Sequence, residues 1–253
     1  MVLNALSKKE KPWVVLDTHA GAGLYRLASE EARKQKEYET GVSQLFNLDS
    51  ATMPPEIKQY LSIIKLFNAE NSLTIYPGSP MFSRELMRTG DKGVFCEIQE
   101  KVCSELKQNF LRDKQVAVHP TDGYQAMKAF LPPKENRGLV LIDPPFESQN
   151  EFDQIKKALD TALKRWRSGC YMIWYPVKNK FLVSRFKEHI KKLNLSYLIL
   201  NFKLSALQET KKLSECELLL INPPWKLDEK LKGSVLPYLE KAMNIKTTIM
   251  SNL

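Results

Sequence analysis

The segment Asp143-Pro144-Pro145-Phe146 carries the most distinctive chemistry in the chain, and it directly follows an apolar run. Two prolines fix φ and donate no N–H, so the backbone carbonyls here are free to accept hydrogen bonds. The amino nitrogen of a base such as adenine is a poor nucleophile, because its lone pair is delocalised into the ring. The Asp143 carboxylate and the Pro144 carbonyl could accept its two hydrogens and direct the lone pair at a methyl donor, while Phe146 stacks on the base. The alternative is a proline-rich loop that only ends a strand.

Carboxylates follow four successive apolar runs, at Asp17, Glu97, Asp122 and Asp143. In open parallel sheets, ligands bind beyond the carboxyl ends of the strands, near the point where strand order reverses. Capping of helix N-termini would explain one or two of these carboxylates but explains the whole set poorly. The series therefore indicates a ligand site, with Asp143 at one side of it.

A glycine turn, Gly21 and Gly23, follows Asp17. No Lys-Ser/Thr follows these glycines, so a kinase or a P-loop ATPase is not supported, although the turn alone leaves an NAD-type dehydrogenase open. An acidic residue before the turn repels pyrophosphate but suits a cationic amino group, such as that of S-adenosylmethionine. Glu97 is placed to accept hydrogen bonds from ribose hydroxyls.

A second proline motif, Asn222-Pro223-Pro224-Trp225, follows the last apolar run. Its composition would also suit a base, since Asn can accept a hydrogen bond. The end of a terminal hairpin lies away from the strand-order switch, however, and the acidic series stops at Asp143. We therefore interpret this motif mainly as a turn that leads into a helix.

Apolar, β-rich runs alternate with helical patterns along most of the chain. The expected strands are Trp13–Asp17, Gly93–Glu97, Gln115–Val118, Gly138–Ile142, Tyr171–Tyr175, Tyr197–Leu204 and Glu217–Ile221. The expected helices between them are Met81–Met87, Lys101–Phe110, Tyr124–Phe130, Phe152–Trp166 and Phe181–Leu193. Single helices between strands imply βαβ units and a mostly parallel sheet, and the polar loop between the last two strands implies an antiparallel hairpin at a sheet edge.

The stretch from about Glu30 to Asn71 is charged and helical in pattern. Apolar residues recur there near a 3.6 period, which predicts a helix with one buried face. These residues are Ile57, Tyr60, Leu61, Ile64 and Leu66. We expect a small helical insertion over residues 30–75 within a single domain that spans residues 1–253.

The composition of the chain limits the kind of protein that it can be. Of the 253 residues, 43% are hydrophobic and 26% are charged, which is typical of a globular protein. Met1 to Lys11 does not have the pattern of a signal peptide, and a cytoplasmic protein that does not enter membranes is expected. The four cysteines lack a C-x-x-C spacing and are interpreted as buried free thiols, and no metal site is expected.

The net charge of +9 favours a polyanionic partner. Basic residues cluster in two runs, although a solvated helix face explains such runs as often as a binding face does. The first run contains Lys156, Lys157, Lys164, Arg165 and Arg167, and the second contains Lys178, Lys180, Arg185, Lys187, Lys191 and Lys192.

Several motifs occur together and in order along nearly the whole chain. They are Leu16–Gly23, Tyr76–Pro80, Asp122-Gly123, Leu141–Glu147, Trp174-Tyr175-Pro176 and Ile221–Trp225. In this combination the sequence resembles the bacterial 23S ribosomal RNA adenine-N6 methyltransferase family, whose members have also carried a label for use of external DNA as a nutrient. The resemblance implies a Rossmann-like class I methyltransferase fold, with a mostly parallel seven-stranded sheet, an antiparallel edge hairpin and the helical insertion.

The resemblance also assigns roles. It implies Asp143 as the catalytic residue, within the motif Asp143, Pro144, Pro145 and Phe146. The S-adenosylmethionine contacts that it implies are His19, Ser79, Glu97, Asp122 and Gly123. The strand end and the glycine turn discussed above add Asp17, Gly21 and Gly23 to the expected contacts. Family members carry a His-Ala-Gly-Asn-like motif upstream of the position of Met1, which helps to close the cofactor pocket, and often have Tyr where Phe146 stands.

The leading hypothesis is a monomeric enzyme that methylates adenine N6 in 23S ribosomal RNA, on naked or partly assembled RNA because the base must be splayed out. A DNA adenine-N6 methyltransferase is the second, since D-P-P-[FY] does not distinguish ribose from deoxyribose. A non-catalytic protein that binds external DNA is the third, and a nuclease is disfavoured because the carboxylates lack two-metal spacing.

Overall fold

The computed structural model describes residues 1–30, 37–69, 72–204 and 213–253. Its strands are β1 (Val14–Asp17), β2 (Leu24–Arg26), β3 (Ile75–Pro77), β4 (Lys92–Cys96), β5 (Val116–His119), β6 (Gly138–Ile142), β7 (Cys170–Pro176), β8 (Tyr197–Leu204), β9 (Glu215–Ile221) and β10 (Ile245–Asn252). Eight of these strands form a central sheet in the order β10-β8-β9-β7-β6-β1-β4-β5, and β2 pairs with β3 in a separate ribbon. Strands β7, β6, β1, β4 and β5 run parallel, whereas β9, β8 and β10 are joined by antiparallel pairings.

Helices cover both faces of this sheet. They are α1 (Val2–Ser7), α2 (Glu37–Thr40), α3 (Val42–Phe46), α4 (Pro55–Leu66), α5 (Ser79–Glu85), α6 (Glu100–Asn109), α7 (Gly123–Phe130), α8 (Glu151–Arg165), α9 (Lys180–Lys192), α10 (Leu227–Lys230) and α11 (Leu236–Met243). In α9 the buried residues Val183, Phe186 and Ile190 recur every three or four positions, which places them on one side of the helix. Helices α7, α8 and α9 bury one face of the sheet, and the remaining helices pack with the other face.

The Rossmann-like class is confirmed, but the count of seven strands is wrong. The eighth strand of the sheet is β10, which pairs antiparallel with β8, for example Ile249 with Leu200. Every second residue of β10 is exposed and several are polar, so the strand lacks the apolar run of the others. The predicted hairpin of β8 and β9 is antiparallel and belongs to the antiparallel side of the sheet, as expected, and β10 extends that side by one strand beyond β8.

The stretch expected to be a helical insertion contains α2, α3, a 3-10 turn at Ser50–Thr52 and α4, while residues 31–36 and 70–71 of it lie outside the described part. On α4, Ile57, Leu61 and Ile64 are buried as the period predicts. Leu66 is 67% exposed, so its assignment to the buried face is wrong, since the helix ends there. The buried residues of α3, together with Ile57, Leu61 and Ile64 of α4, belong to the same apolar cluster as Trp13 beside the central sheet.

All four cysteines are free thiols, and three are fully buried while Cys216 is half-buried. Among the described residues, no helix combines the length and the apolar character needed to cross a bilayer.

Candidate active site

The carboxyl ends of the parallel strands bring the predicted acidic residues to one edge of the sheet. Asp17 ends β1, which lies between β4 and β6, with Asp17 beside Phe95 and Leu141. The strand order reverses at β1, because the chain continues from it to β4 and β5 and then returns on its other side to β6 and β7. Asp143 directly follows β6, and both Asp143 and Glu97 are close enough to act electrostatically on Asp17.

Asp17 is fully buried, and its carboxylate has two donors. The Ser79 hydroxyl donates to one oxygen at 2.6 Å, and the His19 backbone N–H donates to the other at 3.3 Å. Burial is the main cause that raises the pKa of Asp17 to about 7, and the neighbouring carboxylates add to it.

The ribbon of β2 and β3 carries Ser79 to this carboxylate. Leu24 pairs with Pro77, and the Gly78 N–H donates to the Gly23 carbonyl at 2.7 Å, so α5 begins next to the glycine turn. Sequence patterns do not show this three-residue ribbon, although Ser79 itself was expected at the site.

The glycine turn needs its glycines. Gly21 and Gly23 have φ of +62° and +82°, in the left-handed region that favours glycine. A Cβ on Gly21 would lie 2.0 Å from the Tyr25 hydroxyl, so the turn packs closely against that phenol. The Gly21 N–H donates to Glu97 at 3.0 Å, and the Gln99 N–H donates to its other oxygen at 2.8 Å. Glu97 thereby holds the turn and still has free lone pairs.

Asp122 caps α7. One of its oxygens accepts from the N–H groups of Tyr124 at 2.7 Å and Gln125 at 3.2 Å, so capping does account for one member of the acidic series. The next residue, Gly123, lies against β1, and a Cβ there would lie 2.0 Å from the Thr18 carbonyl oxygen. This close approach brings the cap to the same edge of the sheet as Asp17.

His19 is held as a neutral imidazole. The Thr18 hydroxyl donates to the Leu141 carbonyl at 2.9 Å, which leaves its oxygen to accept from the His19 Nδ1–H at 2.8 Å. Burial lowers the pKa of His19 to about 4, against the opposing effect of Asp122. The ring also packs edge-on against Tyr124 at 5.2 Å.

Asp143 differs from the other carboxylates, because no hydrogen bond or ion pair within the described chain engages its side chain. It is open to solvent at the rim, yet the surrounding protein raises its pKa to about 6 through loss of hydration. Pro144 is buried, whereas Pro145 is exposed. Phe146 has φ of +52°, a strained conformation for an aromatic residue and one often found at functional sites.

The Phe146 ring is supported from two sides. Its centre lies 5.3 Å from the centre of the Phe152 ring and 6.1 Å from that of the Trp174 ring, and both contacts are edge to face. Trp174 lies on β7 beside the end of β6, where Ile142 pairs with Ile173. We assigned no role to Trp174 or to Tyr25 from the sequence. A signal for Trp174 exists in the sequence, because it belongs to the Trp174-Tyr175-Pro176 motif. Tyr25 has no such signal, because the β2–β3 ribbon alone brings it to the glycine turn.

The second proline motif lies at the opposite edge of the sheet. Strand β9 runs antiparallel to β7, with Ile221 beside Tyr171, so Asn222 follows at the amino end of β7. Seven residues of strand separate that edge from Asp143, roughly 20 Å at about 3.3 Å per residue. The Asn222 side-chain amide donates to the carbonyls of Arg167 and Gly169, both at 2.8 Å. This agrees with its interpretation as a turn that leads into a helix.

The carboxylates at this end of the sheet fit a ligand that carries a positive charge and hydroxyl groups. Within the described chain, no lysine, arginine or histidine forms an ion pair with Asp17, Glu97 or Asp143. A buried carboxylate without a cation is costly, so a ligand with a positive amino group would relieve that cost. Among the described residues, no group of three or more His, Cys, Asp or Glu could hold a metal ion.

A cavity of about 620 Å³ lies elsewhere, among α3, α4 and the C-terminal helix α11. It is mainly apolar and borders the glycine turn only through Tyr25. None of the predicted site residues lines it.

A mostly parallel sheet whose strand order reverses beside the carboxylates of Asp17 and Asp143 is a Rossmann-like arrangement. Together with the family match that follows, it identifies an S-adenosylmethionine-dependent methyltransferase. Comparison with known proteins gives the family. The family model described as "Ribosomal RNA large subunit methyltransferase D, RlmJ" matches residues 10–251, and the chain belongs to this family.

Curated relatives support the same assignment. The chain is 37% identical over 246 residues to Ribosomal RNA large subunit methyltransferase J of Haemophilus influenzae, covering 96% of this chain and 86% of that protein. It is 34% identical over 245 residues to the protein of the same name from Escherichia coli K12, with the same coverage. A solved structure of a Legionella pneumophila protein superposes with a TM-score of 0.91 at 32% identity, covering 99% of this chain and 92% of the other.

Proposed function

We propose that this protein transfers a methyl group from S-adenosylmethionine to the exocyclic N6 of an adenine in 23S ribosomal RNA. The observation that carries the proposal is the Asp143 carboxylate, which has no partner within the described chain and stands at the strand-order switch beside the acidic pocket. Membership of a large-subunit ribosomal RNA methyltransferase family favours RNA over DNA as the acceptor and favours an enzyme over a non-catalytic DNA-binding protein.

S-adenosylmethionine supplies an electrophilic methyl group when it is bound. In our proposal the Asp17 carboxylate, oriented by Ser79, binds the positive amino group of the methionyl part. Glu97 accepts from ribose hydroxyls with the lone pairs that the Gly21 and Gln99 N–H groups leave free. The remaining proposed contacts are His19, Gly23, Asp122 and Gly123, which line the same edge.

Asp143 and the Pro144 carbonyl would accept the two hydrogens of the adenine amino group. An ionised carboxylate localises the nitrogen lone pair and orients it for attack. Neither proline has a backbone N–H, so the two prolines offer acceptors and no donors to the base. Phe146 would hold the face of the flipped base, and Trp174 supports that ring edge-on from β7.

The decisive experiment compares Asp143→Asn with the wild type. The amide keeps the shape but donates hydrogen bonds where the carboxylate accepts them, so methyl transfer to naked 23S ribosomal RNA should fall by roughly 100-fold or more. Calorimetric affinity for S-adenosylmethionine should stay within about threefold, since Asp143 only faces the cofactor pocket. A wild-type rate in the variant would refute the assignment of Asp143.

The acceptor is tested in parallel, with labelled cofactor and equal amounts of naked 23S RNA, assembled large subunits and duplex DNA. We expect incorporation into naked or partly assembled RNA, recovered as N6-methyladenosine by nucleoside mass spectrometry. Equal or faster methylation of DNA would contradict the proposal.

We further propose that the chain acts in the cytoplasm as a monomer, with residues 1–253 as one domain and residues 30–75 as a helical insertion within it. Light scattering of the purified protein tests the monomer.

A further inference from the structure

The two basic runs of the sequence are divided by the structure between opposite edges of the sheet. Helices α8 and α9 each begin at the carboxyl edge, beside Asp143, and end at the amino edge. Residues near their ends make contacts within the fold. Arg165 donates to the Leu131 carbonyl at 2.7 Å, and Arg167 donates to the carbonyls of Leu193 and Asn194.

Residues near the start of α9 are placed differently. We call Lys178, Lys180, Phe181 and Arg185 the α9 face. All four are exposed, and the ion pairs of the described chain involve none of them. Lys157 on α8 is exposed as well, and both it and Arg185 act electrostatically on Asp153, which places the two positive charges near each other. Exposed cations of α8 and of the start of α9 therefore lie near each other next to the Asp143 end of the sheet, with the Asp153 carboxylate, which pairs with Lys156, among them.

An exposed aromatic ring lies within this charge. Phe181 is 68% exposed, although a phenylalanine at the start of a helix could have turned toward the core as Phe186 does. The Arg185 guanidinium lies 5.9 Å from the centre of its ring, a cation–π contact that holds the ring at the surface. Aromatic rings among basic side chains are the usual surface for single-stranded nucleic acid, since bases stack and phosphates are neutralised.

The α9 face is connected to the catalytic loop through packed rings. The rings of Phe146 and Phe152 pack with their centres 5.3 Å apart, and the ring of Phe152 packs against Phe186 of α9, again with 5.3 Å between the centres. Phe186 lies on the buried side of α9, so the helix that carries the α9 face packs against the same rings that support Phe146. A strand leaving the Asp143 pocket on this side would meet the α9 face within a few nucleotides.

We propose that the α9 face binds the RNA strand that flanks the target adenine, with Phe181 stacking on a flanking base and Lys178 and Lys180 neutralising phosphates. This inference rests on the proposed function, because it needs RNA as the acceptor. It assigns binding of the flanking RNA to the α9 face, which is a different surface from the Asp143 loop proposed to act in methyl transfer.

The first test replaces the ring. Phe181→Ala should weaken binding of a fluorescein-labelled, adenine-containing single-stranded RNA by roughly 5- to 100-fold in an anisotropy titration. The matched control is Leu111→Ala, because Leu111 is 71% exposed and follows α6 at the opposite edge. It should bind the same RNA as the wild type does. Both variants should bind S-adenosylmethionine normally, which shows that the fold and pocket are intact.

The second test replaces charge. The pair Lys178→Gln and Lys180→Gln should reduce the slope of log affinity against log salt by about 0.7 for each phosphate that is no longer neutralised. The control pair is Lys191→Gln and Lys192→Gln, which removes the same charge from the exposed far end of the same helix. Its slope should be unchanged. An equal loss in both pairs would show that net charge alone matters and would overturn the proposal.

The two proposals fail in different ways. If the wild type methylates RNA and the α9-face variants bind and methylate it as well as their controls, the α9 face is refuted while the proposed function stands. If the variants lose RNA binding but the wild type transfers no methyl group to RNA, the α9 face is supported as a binding surface and the proposed function is refuted.

Discussion

Protonation of Asp143 should stop the reaction within the experimental pH range. In our proposal Asp143 activates the amino group as an ionised carboxylate, and a protonated carboxyl group is a much weaker acceptor. Loss of hydration raises the pKa of Asp143 to about 6. With that pKa the group is roughly nine-tenths ionised at about pH 7 and roughly one-tenth ionised at about pH 5. The rate of methyl transfer should therefore rise with pH, and it should fall about tenfold for each unit below about pH 6.

Asp17 titrates in a similar range, and its contribution must be separated. Its pKa is raised to about 7 in the free protein, and it should fall once a positive amino group lies beside it. Saturating S-adenosylmethionine therefore suppresses the titration of Asp17 in the rate, while the titration of Asp143 remains. At low cofactor the two carboxylates should act together and shift the midpoint upward, because they are electrostatically coupled.

The assay is single-turnover transfer of labelled methyl groups to naked 23S RNA, at saturating cofactor, from about pH 5 to about pH 8. Asp143→Asn is the control, because its residual rate of methyl transfer should not change with pH near pH 6. A wild-type profile that is flat over this range would refute the argument, because the essential carboxylate would then have an ordinary pKa. A pH dependence that persists in Asp143→Asn would assign the titration to another group.

Three further predictions concern stability and are checked by chemical denaturation. Gly123→Ala should lower the free energy of unfolding by about 1–3 kcal/mol, because its Cβ would lie 2.0 Å from a backbone oxygen, whereas Gly233→Ala, with no atom within 4 Å, should cost about nothing. Asn222→Ala should lower the free energy of unfolding by about 1–3 kcal/mol, because it removes two hydrogen bonds from a residue with φ of +51°. Asn222→Gly should lower it less, because glycine adopts that φ without strain. A larger loss of stability in the glycine variant than in the alanine variant would contradict this explanation. Lys187→Met should cost about 3 kcal/mol, because it leaves the buried Glu217 without its cation at 2.5 Å; a loss no larger than in Lys191→Met would show that the pair contributes little.

The strands that build the site were predictable because their signal is local. Strand β6 matched its prediction from Gly138 to Ile142, and β1 differed by one residue at Trp13. Buried parallel strands read as short apolar runs. Strand β1 ends on Asp17, and Glu97 and Asp143 directly follow β4 and β6, at the end of the sheet where ligands bind in such folds. Such a pattern fixes the fold class and the edge of the sheet together, which is why the acidic series could be identified from residue types alone.

The parts that were missed depend on contacts that no local pattern records. The ribbon of β2 and β3 has three residues in each strand, and its position follows from the Gly78 hydrogen bond to Gly23. Strand β10 is stabilised by pairing with β8, although its own residues are half exposed and polar. The orientation of Tyr25 toward the turn follows from the ribbon, so it could not be expected before the ribbon was seen.

The two proline motifs show what local chemistry can and cannot decide. Asp143-Pro144-Pro145-Phe146 and Asn222-Pro223-Pro224-Trp225 each follow a buried strand and each contain a residue with positive φ, at Phe146 and Asn222. Strand direction separates them, because β6 points toward the acidic edge and β9 points away from it. The Asn222 side chain then binds two carbonyls and its motif leaves Trp225 88% exposed, whereas Asp143 keeps its acceptor oxygens free. The same strand directions place the start of α9, and not its end, beside the loop that follows β6.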